Sequence, residues 1–372
     1  MMKDNLNYAK AGVNYAPIDR IKQLAQEAAH ETDYLLHTFN SKELSGIRGE
    51  SAYVFDMGPF LGAVVSEGLG TKNLVADAMV KINPNQTQKY YKTIGWDTVA
   101  TIVNDLITVG AEPVVIGPHW AAGDSSWFEN KKRATGLIEG WCRACVEAGA
   151  TYGPGETSIL KGVVEENTVD LSGFGFGIVN PKEHLILGHD LAPGDRIVIV
   201  ESSGIHANGI TLARETADRR LVKGYKTKLP SGRTYGEALL TPTNMYVQLQ
   251  KKLLKKNIGI HYMVNITGHG WRKLMRAKND FTYRVSSLPE VQEEFALIQE
   301  AAKLSDYEMY ETFNMGGGFA FMVDPHYVKQ VQDIADSLGY KSWDAGVVEK
   351  GEKQVIIEPK NIVYGRKTLA IR

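Results

Sequence analysis

The residues best suited to chemistry follow a predicted apolar strand, residues 60–65. They combine a carboxylate, two glycines, a hydroxyl group and a lysine: Glu67, Gly68, Gly70, Thr71 and Lys72. Glycines let backbone N–H groups approach an anion, a lysine supplies positive charge, and a carboxylate can face Mg²⁺. The stretch therefore favours a loop that holds a metal-bound polyphosphate. Because the spacing of a Walker A loop is absent, an ordinary strand-to-helix turn with an exposed lysine is the alternative.

Two more polar groups occur in the first half of the chain. Asn104 and Asp105 interrupt the apolar periodicity of a predicted helix, residues 95–110, and a solvated helix edge is the alternative. Glu156 and Thr157 follow glycine and proline residues, a composition typical of an anion or metal loop and also of an ordinary surface loop. For both groups, the sequence therefore allows two interpretations: a ligand site or ordinary solvent-exposed residues.

The second half of the chain has two strand-to-helix loops that are rich in small polar residues. The first lies between a predicted strand, residues 196–200, and a predicted helix, residues 210–221. Its candidate residues are Ser202, Ser203, Gly204, His206 and Asn208. The second loop contains Thr267 and Gly268. Free N–H groups and the dipole at such a helix start attract anions. His206 is a candidate for catalysis, with a capping or core histidine as the alternative.

Prolines and glycines near the middle of the chain predict a boundary between two domains. Residues 180–194 contain two prolines and two glycines and predict the joint. We therefore expect an N-terminal domain over residues 1–182 and a C-terminal domain over residues 183–372. In the first domain, helices are predicted over residues 16–37, 95–110 and 125–149. The second domain mixes strands and helices in α+β fashion.

Charge and composition argue against several classes of function. The formal net charge is −1, so no global field favours nucleic acid or a membrane surface. No window approaches the ~18 apolar residues of a membrane-spanning helix, and residues 1–10 lack the apolar core of an export signal. Cys142 and Cys145 fall mid-helix, so we interpret them as reduced structural cysteines rather than a redox or zinc site. These features predict a cytoplasmic protein.

Several short motifs occur in an order that is more specific than any one of them alone. They are YAKAGV (residues 8–13), GLGTK (68–72), VNDL (103–106), GAEP (110–113), GET (155–157), LSGF (171–174), SSGIHANG (202–209), ITG (266–268) and FNMG (313–316). In this order they resemble the phosphoribosylformylglycinamidine cyclo-ligase family of purine biosynthesis, also called aminoimidazole ribonucleotide synthetase. The resemblance runs nearly from end to end of the chain.

The resemblance implies an α/β (α+β) fold of two domains and a homodimer. The N-terminal sheets would pair into a barrel across the two-fold axis, and the C-terminal domain would be mixed α/β. ATP and Mg²⁺ would bind at the glycine-rich loops. ATP would phosphorylate the formyl amide oxygen of formylglycinamidine ribonucleotide, the amidine nitrogen would attack the activated carbon, and phosphate would leave. Such chemistry depends on charge neutralisation and positioning more than on a protein nucleophile.

The resemblance also implies a role for each candidate residue. Lys72 would contact the ATP phosphates and His206 would transfer a proton, so that the catalytic set is His206, Lys72 and Asp105. The Mg²⁺ carboxylates would be Glu67, Asp105 and Glu156. The nucleotide would be held by Gly68, Gly70, Thr71, Lys72, Asn104 and Thr157. The ribonucleotide substrate would be held by Ser202, Ser203, Gly204, Asn208, Thr267 and Gly268.

Three departures from the family pattern keep other functions open. Glu67 stands where the family usually has aspartate, residues 153–162 lack the second acidic residue of the family's second loop, and His269 replaces the middle glycine of a three-glycine motif. One alternative is another ATP-dependent enzyme of the same superfamily. The other is a nucleotide-binding paralogue that does no chemistry.

Overall fold

The first half of the chain builds one seven-stranded sheet, in a computed structural model that describes residues 5–369. Its strands are β1 (Lys42–Glu43), β2 (Tyr53–Asp56), β3 (Leu61–Gly68), β4 (Glu112–Ala122), β5 (Thr151–Tyr152), β6 (Glu156–Ile159) and β7 (Val169–Val179). The hydrogen-bonded order is β1-β2-β3-β7-β4-β5, and β6 pairs with β4 in parallel. The long strand β7 runs antiparallel to both β3 and β4, so it forms the middle of this sheet.

Helices cover one face of this first sheet. The helices of the first half are α1 (Tyr15–Ala29), α2 (Lys72–Ile82), α3 (Thr87–Leu106) and α4 (Lys131–Ala148). Helix α3 packs against β3, β7 and α4. Close approach is possible because glycines stand at the contacts: a Cβ at Gly140 would lie 1.9 Å from the Lys92 carbonyl oxygen, and one at Gly175 would lie 2.7 Å from Ile102. The glycines of β7 therefore mark a tightly packed face.

The opposite face of the first sheet carries apolar side chains that are open to solvent. Phe174 of β7 is 42% exposed, and Phe176 and Ile178 on the same face are half-buried. Phe55 of β2 and Val64 of β3 extend this face across the neighbouring strands. These side chains therefore form an apolar surface on this side of the sheet.

The second half of the chain builds a second seven-stranded sheet. Its strands are β8 (Arg196–Glu201), β9 (Ile260–Asn265), β10 (Phe281–Val285), β11 (Gly317–Val323), β12 (Ser342–Lys350), β13 (Gln354–Ile357) and β14 (Ile362–Gly365). The order is β14-β13-β10-β12-β8-β11-β9. The helices of this half are α5 (Ile210–Arg219), α6 (Tyr235–Leu239), α7 (Val247–Lys255), α8 (Glu293–Ala302), α9 (Asp306–Thr312) and α10 (Val328–Ser337). The mixed pairing confirms the α+β character predicted for this half.

Short 3-10 segments connect many of these elements. They are His30–Phe39, Pro84–Gln86, Ile107–Val109, Ser125–Glu129, Lys182–His184, Gly224–Lys226, Gly270–Met275, Pro325–Tyr327, Glu358–Lys360 and Arg366–Thr368. Two of them shorten helices that the sequence predicts as longer. The helix predicted over residues 16–37 ends at Ala29 and continues as a 3-10 helix, and the helix predicted from residue 125 begins at Lys131, after Asn130 caps it.

The N-terminal segment packs against the half of the chain that contains the second sheet. The Leu6 N–H donates to the Ala302 carbonyl oxygen over 3.0 Å, and the Tyr15 ring stacks on His269 with centroids 3.9 Å apart. Residues 180–195 separate the two sheets in the sequence, but Leu6 and Tyr15 contact the half that follows this joint. The division at residue 182 stays a prediction, and residues 1–4 and 370–372 of the two expected domains lie outside the described chain.

Two further expectations concern single helices. Cys142 and Cys145 both lie inside α4 and neither forms a disulfide, and burial raises the pKa of Cys145 to about 12. Both are therefore thiols, as the sequence predicts. Within residues 5–369, every helix is too short or too polar to cross a lipid bilayer.

Candidate active site

A crevice of about 490 Å³ lies between the two halves of the chain. The end of β3 and the loop after it form one wall, and α3 contributes Thr101 and Asp105. The loop before α5 and the residues that follow β9 form the facing wall. Helix α1 closes one side with Tyr15, Lys22 and Gln26. Segments from five parts of the sequence therefore meet at this crevice.

Many of the predicted residues line this crevice. Those that the structure brings together are Glu67, Gly68, Gly70, Thr71, Asp105, Asn208, Thr267 and Gly268. They come from the glycine-rich loop, from the polar pair in α3 and from both polar loops of the second half. The sequence thus predicts much of one common site, although the roles of these residues stay predictions.

Two carboxylates form the acidic part of the crevice. Glu67 is half-buried, and burial together with the neighbouring Asp105 carboxylate raises its pKa to about 7. Asn265 donates from Nδ2 to Asp105 Oδ1 over 2.7 Å. The buried Oδ1 atom of Asn265 has no hydrogen-bond partner within the described residues. The two close carboxylates and the unpartnered amide oxygen form a set of oxygen ligands of the kind that a divalent cation prefers.

Three cations that the sequence analysis missed also line the crevice. The buried Lys273 ammonium donates to Thr267 Oγ1, and burial lowers the pKa of Lys273 to about 8, against the opposing influence of Asp105 and Glu67. Arg276 donates from Nε to the Gly49 carbonyl oxygen over 2.8 Å. Lys22 of α1 is exposed at the rim, and its charge lowers the pKa of Glu67.

The missed cations carry no local sequence signal. Lys273 and Arg276 follow the Thr267 loop within one short 3-10 segment and its end, and Lys22 lies in an ordinary helical pattern. Only the three-dimensional contact between α1, β3 and the end of β9 identifies them.

Lys72 does not line the crevice, which corrects the expectation that it contacts phosphates. Its side chain is completely buried, with Nζ 2.6 Å from Asp97 Oδ2. The ammonium also donates to the carbonyl oxygens of His206 and Thr241, at 2.9 and 3.1 Å. Asp97 in turn accepts from the Thr243 N–H over 2.7 Å. Lys72 therefore ties the first half of the chain to the second, because all its hydrogen-bonding capacity is used internally.

His206 is also turned away from the crevice. Its ring is buried, and Nε2 accepts from the Ser203 N–H over 3.2 Å. Burial, assisted by the Lys72 charge, lowers the pKa of His206 to about 3. A neutral imidazole whose Nε2 lone pair is occupied cannot serve as a general base for a ligand in the crevice. The structural alternative for His206, a core histidine, therefore describes its position.

The other candidates in the loop before α5, apart from Asn208, also make their contacts away from the crevice. Ser202 is buried and donates to Asn314 Oδ1 over 3.0 Å, and Ser203 donates to the Pro242 carbonyl oxygen over 2.6 Å. Gly204 is buried as well: a Cβ there would lie 2.7 Å from Glu294 Oε1. Of the candidates in this loop, Asn208 is the one that faces the crevice.

Asn104 faces the joint between the two halves. It donates from Nδ2 to the Asn244 carbonyl oxygen over 2.8 Å and accepts at Oδ1 from the Tyr246 N–H over 3.0 Å. Its neighbour Asp105 lines the crevice, so the polar pair is divided between two surroundings.

Glu156 and Thr157 lie outside the crevice within this single chain. Both are exposed residues of the short strand β6, which pairs with the part of β4 around His119. The expectation that Glu156 joins Glu67 and Asp105 at one metal ion is not met within one chain, because β6 lies on the far side of β7 and β4 from β3.

The two halves of the chain match two models of one protein family. The model for AIR synthase related protein, N-terminal domain, matches residues 49–179, and the model for its C-terminal domain matches residues 192–358. The chain therefore belongs to the AIR synthase related protein family.

The curated relatives specify the family further. The phosphoribosylformylglycinamidine cyclo-ligase of Carboxydothermus hydrogenoformans is 34% identical over 367 residues, which cover 95% of this chain and 99% of that relative. The phosphoribosylformylglycinamidine cyclo-ligase of Pyrococcus furiosus is 34% identical over 361 residues, which cover 96% of this chain and 99% of that relative. These matches confirm the resemblance that the ordered motifs indicate.

Solved structures share the fold at low sequence identity. The HypE–HypF complex matches with a TM-score of 0.59 and 17% identity, covering 85% of this chain and 92% of that chain. AaThiL complexed with AMPPCP and TMP matches with a TM-score of 0.58 and 15% identity, covering 94% of each chain. The expected two-domain α/β architecture is thereby confirmed.

Proposed function

We propose that this chain catalyses the ATP-dependent closure of formylglycinamidine ribonucleotide to aminoimidazole ribonucleotide in purine biosynthesis. The curated relatives named for this reaction match nearly the whole chain. The observation that carries the proposal is the crevice, where two carboxylates, three cations and a glycine-rich loop meet. Such a set of groups suits a metal-bound polyphosphate beside a phosphorylated substrate.

The acidic part of the crevice fits Mg²⁺. Glu67, Asp105 and the unpartnered Oδ1 of Asn265 offer three oxygen donors, the ligand type that this ion prefers. A bound Mg²⁺ would neutralise phosphate charge and polarise a phosphoryl oxygen. It would also remove the repulsion between the two carboxylates, which burial and proximity create. Glu156 is absent from this proposed set because β6 lies away from the crevice.

Positive charge for the phosphates comes from residues other than Lys72. Lys273 and Arg276 approach from the second half of the chain, and Lys22 approaches from α1. The loop around Gly70, whose φ is +70°, leads into α2 and leaves space where a side chain would otherwise stand. This loop therefore lets a phosphate approach the backbone closely before the start of α2.

The facing wall suits the ribonucleotide substrate. Asn208, Thr267 and Gly268 combine an amide, a hydroxyl group and backbone groups that approach a ligand closely. ATP would transfer its γ-phosphoryl group to the formyl amide oxygen, which forms an O–P bond and releases ADP. The amidine nitrogen would then bond to the formyl carbon and lose a proton, and the original formyl C–O bond would break to release phosphate. The chain contributes by holding both anions side by side and by neutralising their charge.

The open face of the first sheet supports a homodimer. Phe174, Phe176 and Ile178 form an apolar surface that a second copy of the same face would cover, and a two-fold axis makes such a surface self-complementary. Light scattering should then give twice the chain mass for the wild type and a smaller mass for Phe174→Glu. Val222→Glu, at a fully exposed site, is the matched control and should leave the dimer intact. A monomeric wild type would contradict this part of the proposal.

The reduced thiols of α4 and the purine pathway are consistent with a cytoplasmic enzyme, which is part of the same proposal. Neither the net charge of −1 nor the residues of the crevice favours nucleic acid, so the expected ligands are small molecules.

The direct test is turnover of the proposed substrate. The purified protein is incubated with ATP, Mg²⁺ and formylglycinamidine ribonucleotide, and ADP and the aminoimidazole product are measured together. We expect equal amounts of both, formed about 10²–10³-fold more slowly by Asp105→Asn. ADP release that requires a different amide or phosphate acceptor would overturn the substrate and favour another enzyme of the superfamily. Nucleotide binding without turnover would overturn the reaction and favour a non-catalytic paralogue.

A further inference from the structure

Helix α1 is held to the protein by its polar side rather than by its apolar side. Asp19 is its buried residue, and Gln26 and Lys22 line the crevice. Ile21 and Leu24, by contrast, are 62% and 51% exposed. The apolar periodicity that predicts this helix does not anchor it, so its position must depend on specific polar contacts.

The main polar contact joins α1 to His269. The His269 Nε2–H donates to the Asp19 carboxylate, with 3.0 Å to Oδ2 and 3.2 Å to Oδ1. The imidazole ring also stacks on Tyr15, and the His269 backbone N–H donates to the Tyr15 hydroxyl oxygen over 3.3 Å. The Asp19 and His269 side chains are each less than a tenth exposed, so water does not compete strongly for this contact.

The contact joins a neutral imidazole to a carboxylate rather than two oppositely charged groups. Burial lowers the pKa of His269 to about 4, against the opposing influence of Asp19, so the imidazole is neutral near pH 7. The adjacent cations Arg272 and Lys273 act in the same direction as burial. A neutral imidazole still donates from its Nε2–H to the Asp19 carboxylate, so the contact does not require a charged histidine.

This link determines where Lys22 stands. Lys22 follows Asp19 by three residues, which places both on the same side of α1. Its charge acts on both Glu67 and Lys273 across the crevice. Since the exposed Lys22 side chain has no fixed partner among the hydrogen bonds described for α1, the placement of the helix decides its distance from a bound anion.

We propose that His269 is a positioning residue, which holds Asp19 and Tyr15 so that α1 keeps Lys22 at the mouth of the crevice, facing a bound polyphosphate. His269 stands where the family resemblance leads us to expect glycine. The kinetic part of this inference rests on the proposed function, whereas the structural part does not.

The structural test is amide hydrogen exchange in α1. His269→Gly removes the side chain without straining the backbone, because residue 269 has a φ of +69° that suits glycine. We expect exchange in residues 15–29 to accelerate by about tenfold or more, and the same for Asp19→Ala. His261→Ala is the matched control: it removes another histidine–aspartate contact, 2.8 Å from Asp195, at a distance from α1. Unchanged exchange in His269→Gly would overturn the inference.

The functional test is a double-mutant cycle with Lys22. A non-hydrolysable ATP analogue with Mg²⁺ is titrated into each variant by calorimetry. We expect His269→Gly and Lys22→Gln each to weaken binding by about tenfold, and the double variant to be no weaker than about twofold beyond Lys22→Gln. Asp19→Asn keeps a hydrogen-bond acceptor and should remain within about threefold of the wild type. Additive losses would overturn the link to Lys22.

The two tests separate this inference from the proposed function. If the protein binds the nucleotide but does not form the aminoimidazole, the exchange and binding results still decide the role of His269. If it forms the product and His269→Gly changes neither exchange nor binding, the inference fails while the proposed function stands.

Discussion

Two polar clusters lie side by side in this molecule and differ in how well their groups are satisfied. In the crevice, Glu67 and Asp105 lie close together and Asn265 Oδ1 lacks a partner. In the joint between the halves, Lys72 is matched with Asp97 and with two carbonyl oxygens. Two close carboxylates favour an added cation between them, whereas the Lys72 ammonium already has an anion and two carbonyl oxygens as partners. The first arrangement suits a ligand site and the second a structural contact.

The largest expected effect is on the joint. Lys72→Met leaves Asp97 buried without its counter-charge and should lower the free energy of unfolding by about 3–5 kcal/mol. Urea unfolding measures this loss, and Lys273→Met is the matched control because it removes a lysine from the crevice instead. A Lys72→Met protein of wild-type stability with a raised KM for ATP would reverse the assignment of the two clusters.

The next effect is on the crevice carboxylates. Asp105→Asn removes a negative charge but retains an oxygen that accepts the Asn265 hydrogen bond. We expect kcat for ATP-dependent turnover to fall by about 10²–10³, since the proposed metal site loses a ligand charge. The unfolding midpoint should change little. A variant that keeps the wild-type kcat would remove Asp105 from the proposed chemistry.

A smaller loss is expected for the buried crevice lysine. Lys273→Met should lower kcat/KM for ATP by about 10- to 100-fold, because one charge-assisted contact to phosphate is lost. Steady-state kinetics with varied ATP and saturating formylglycinamidine ribonucleotide measure this effect. If Lys273→Met alters stability alone and leaves kcat/KM intact, Lys273 belongs with the joint rather than with the ligand.

A pH-dependent effect sharpens the comparison further. The pKa of Glu67 is raised to about 7 in the folded protein, so the folded state holds a proton that the unfolded chain releases near its ordinary pKa of about 4.3. Binding of this proton stabilises the folded, ligand-free protein at low pH, and the stabilisation is lost as the pH rises through about 7.

Glu67→Gln removes that loss. The free energy of unfolding of the variant, relative to that of the wild type, should rise by on the order of 1–2 kcal/mol from about pH 5 to about pH 8. Water in the crevice screens the charges and keeps this difference small. Chemical unfolding of both proteins at the two pH values gives the difference. An equal pH dependence for both proteins would show that Glu67 is not crowded by Asp105.

The smallest effect is expected at the histidine that the sequence makes a catalytic candidate. His206→Gln keeps a side-chain acceptor for the Ser203 N–H and should change kcat by less than about threefold, because the ring faces the joint. Stopped turnover in a folded variant would restore His206 to the catalytic set.

The sequence predicts the residue clusters better than the direction of each side chain. Glu67, Gly70 and Thr71 line the crevice as their loop composition suggests, whereas Lys72 begins α2 and points into the joint. Successive residues of a helix turn by about 100°, so one position decides between a ligand and a buried partner. No sequence motif shows in which direction the side chain at such a position points.

The second limit concerns contacts between distant segments. Lys22 and Lys273 are ordinary charges in their own helical segments, and only packing of α1 beside the end of β9 brings them to one crevice. His269 is visible in the sequence as a departure from the family, but its partner Asp19 lies 250 residues away. Pairs of this kind depend on the folded chain and have no local signal.

The most direct test is a crystal structure of the protein with Mg²⁺ and a non-hydrolysable ATP analogue. The account predicts Mg²⁺ bound by oxygens of Glu67 and Asp105, with the triphosphate beside Lys273 and Lys72 still paired with Asp97. A triphosphate held by Lys72, or bound anywhere other than the crevice, would contradict it.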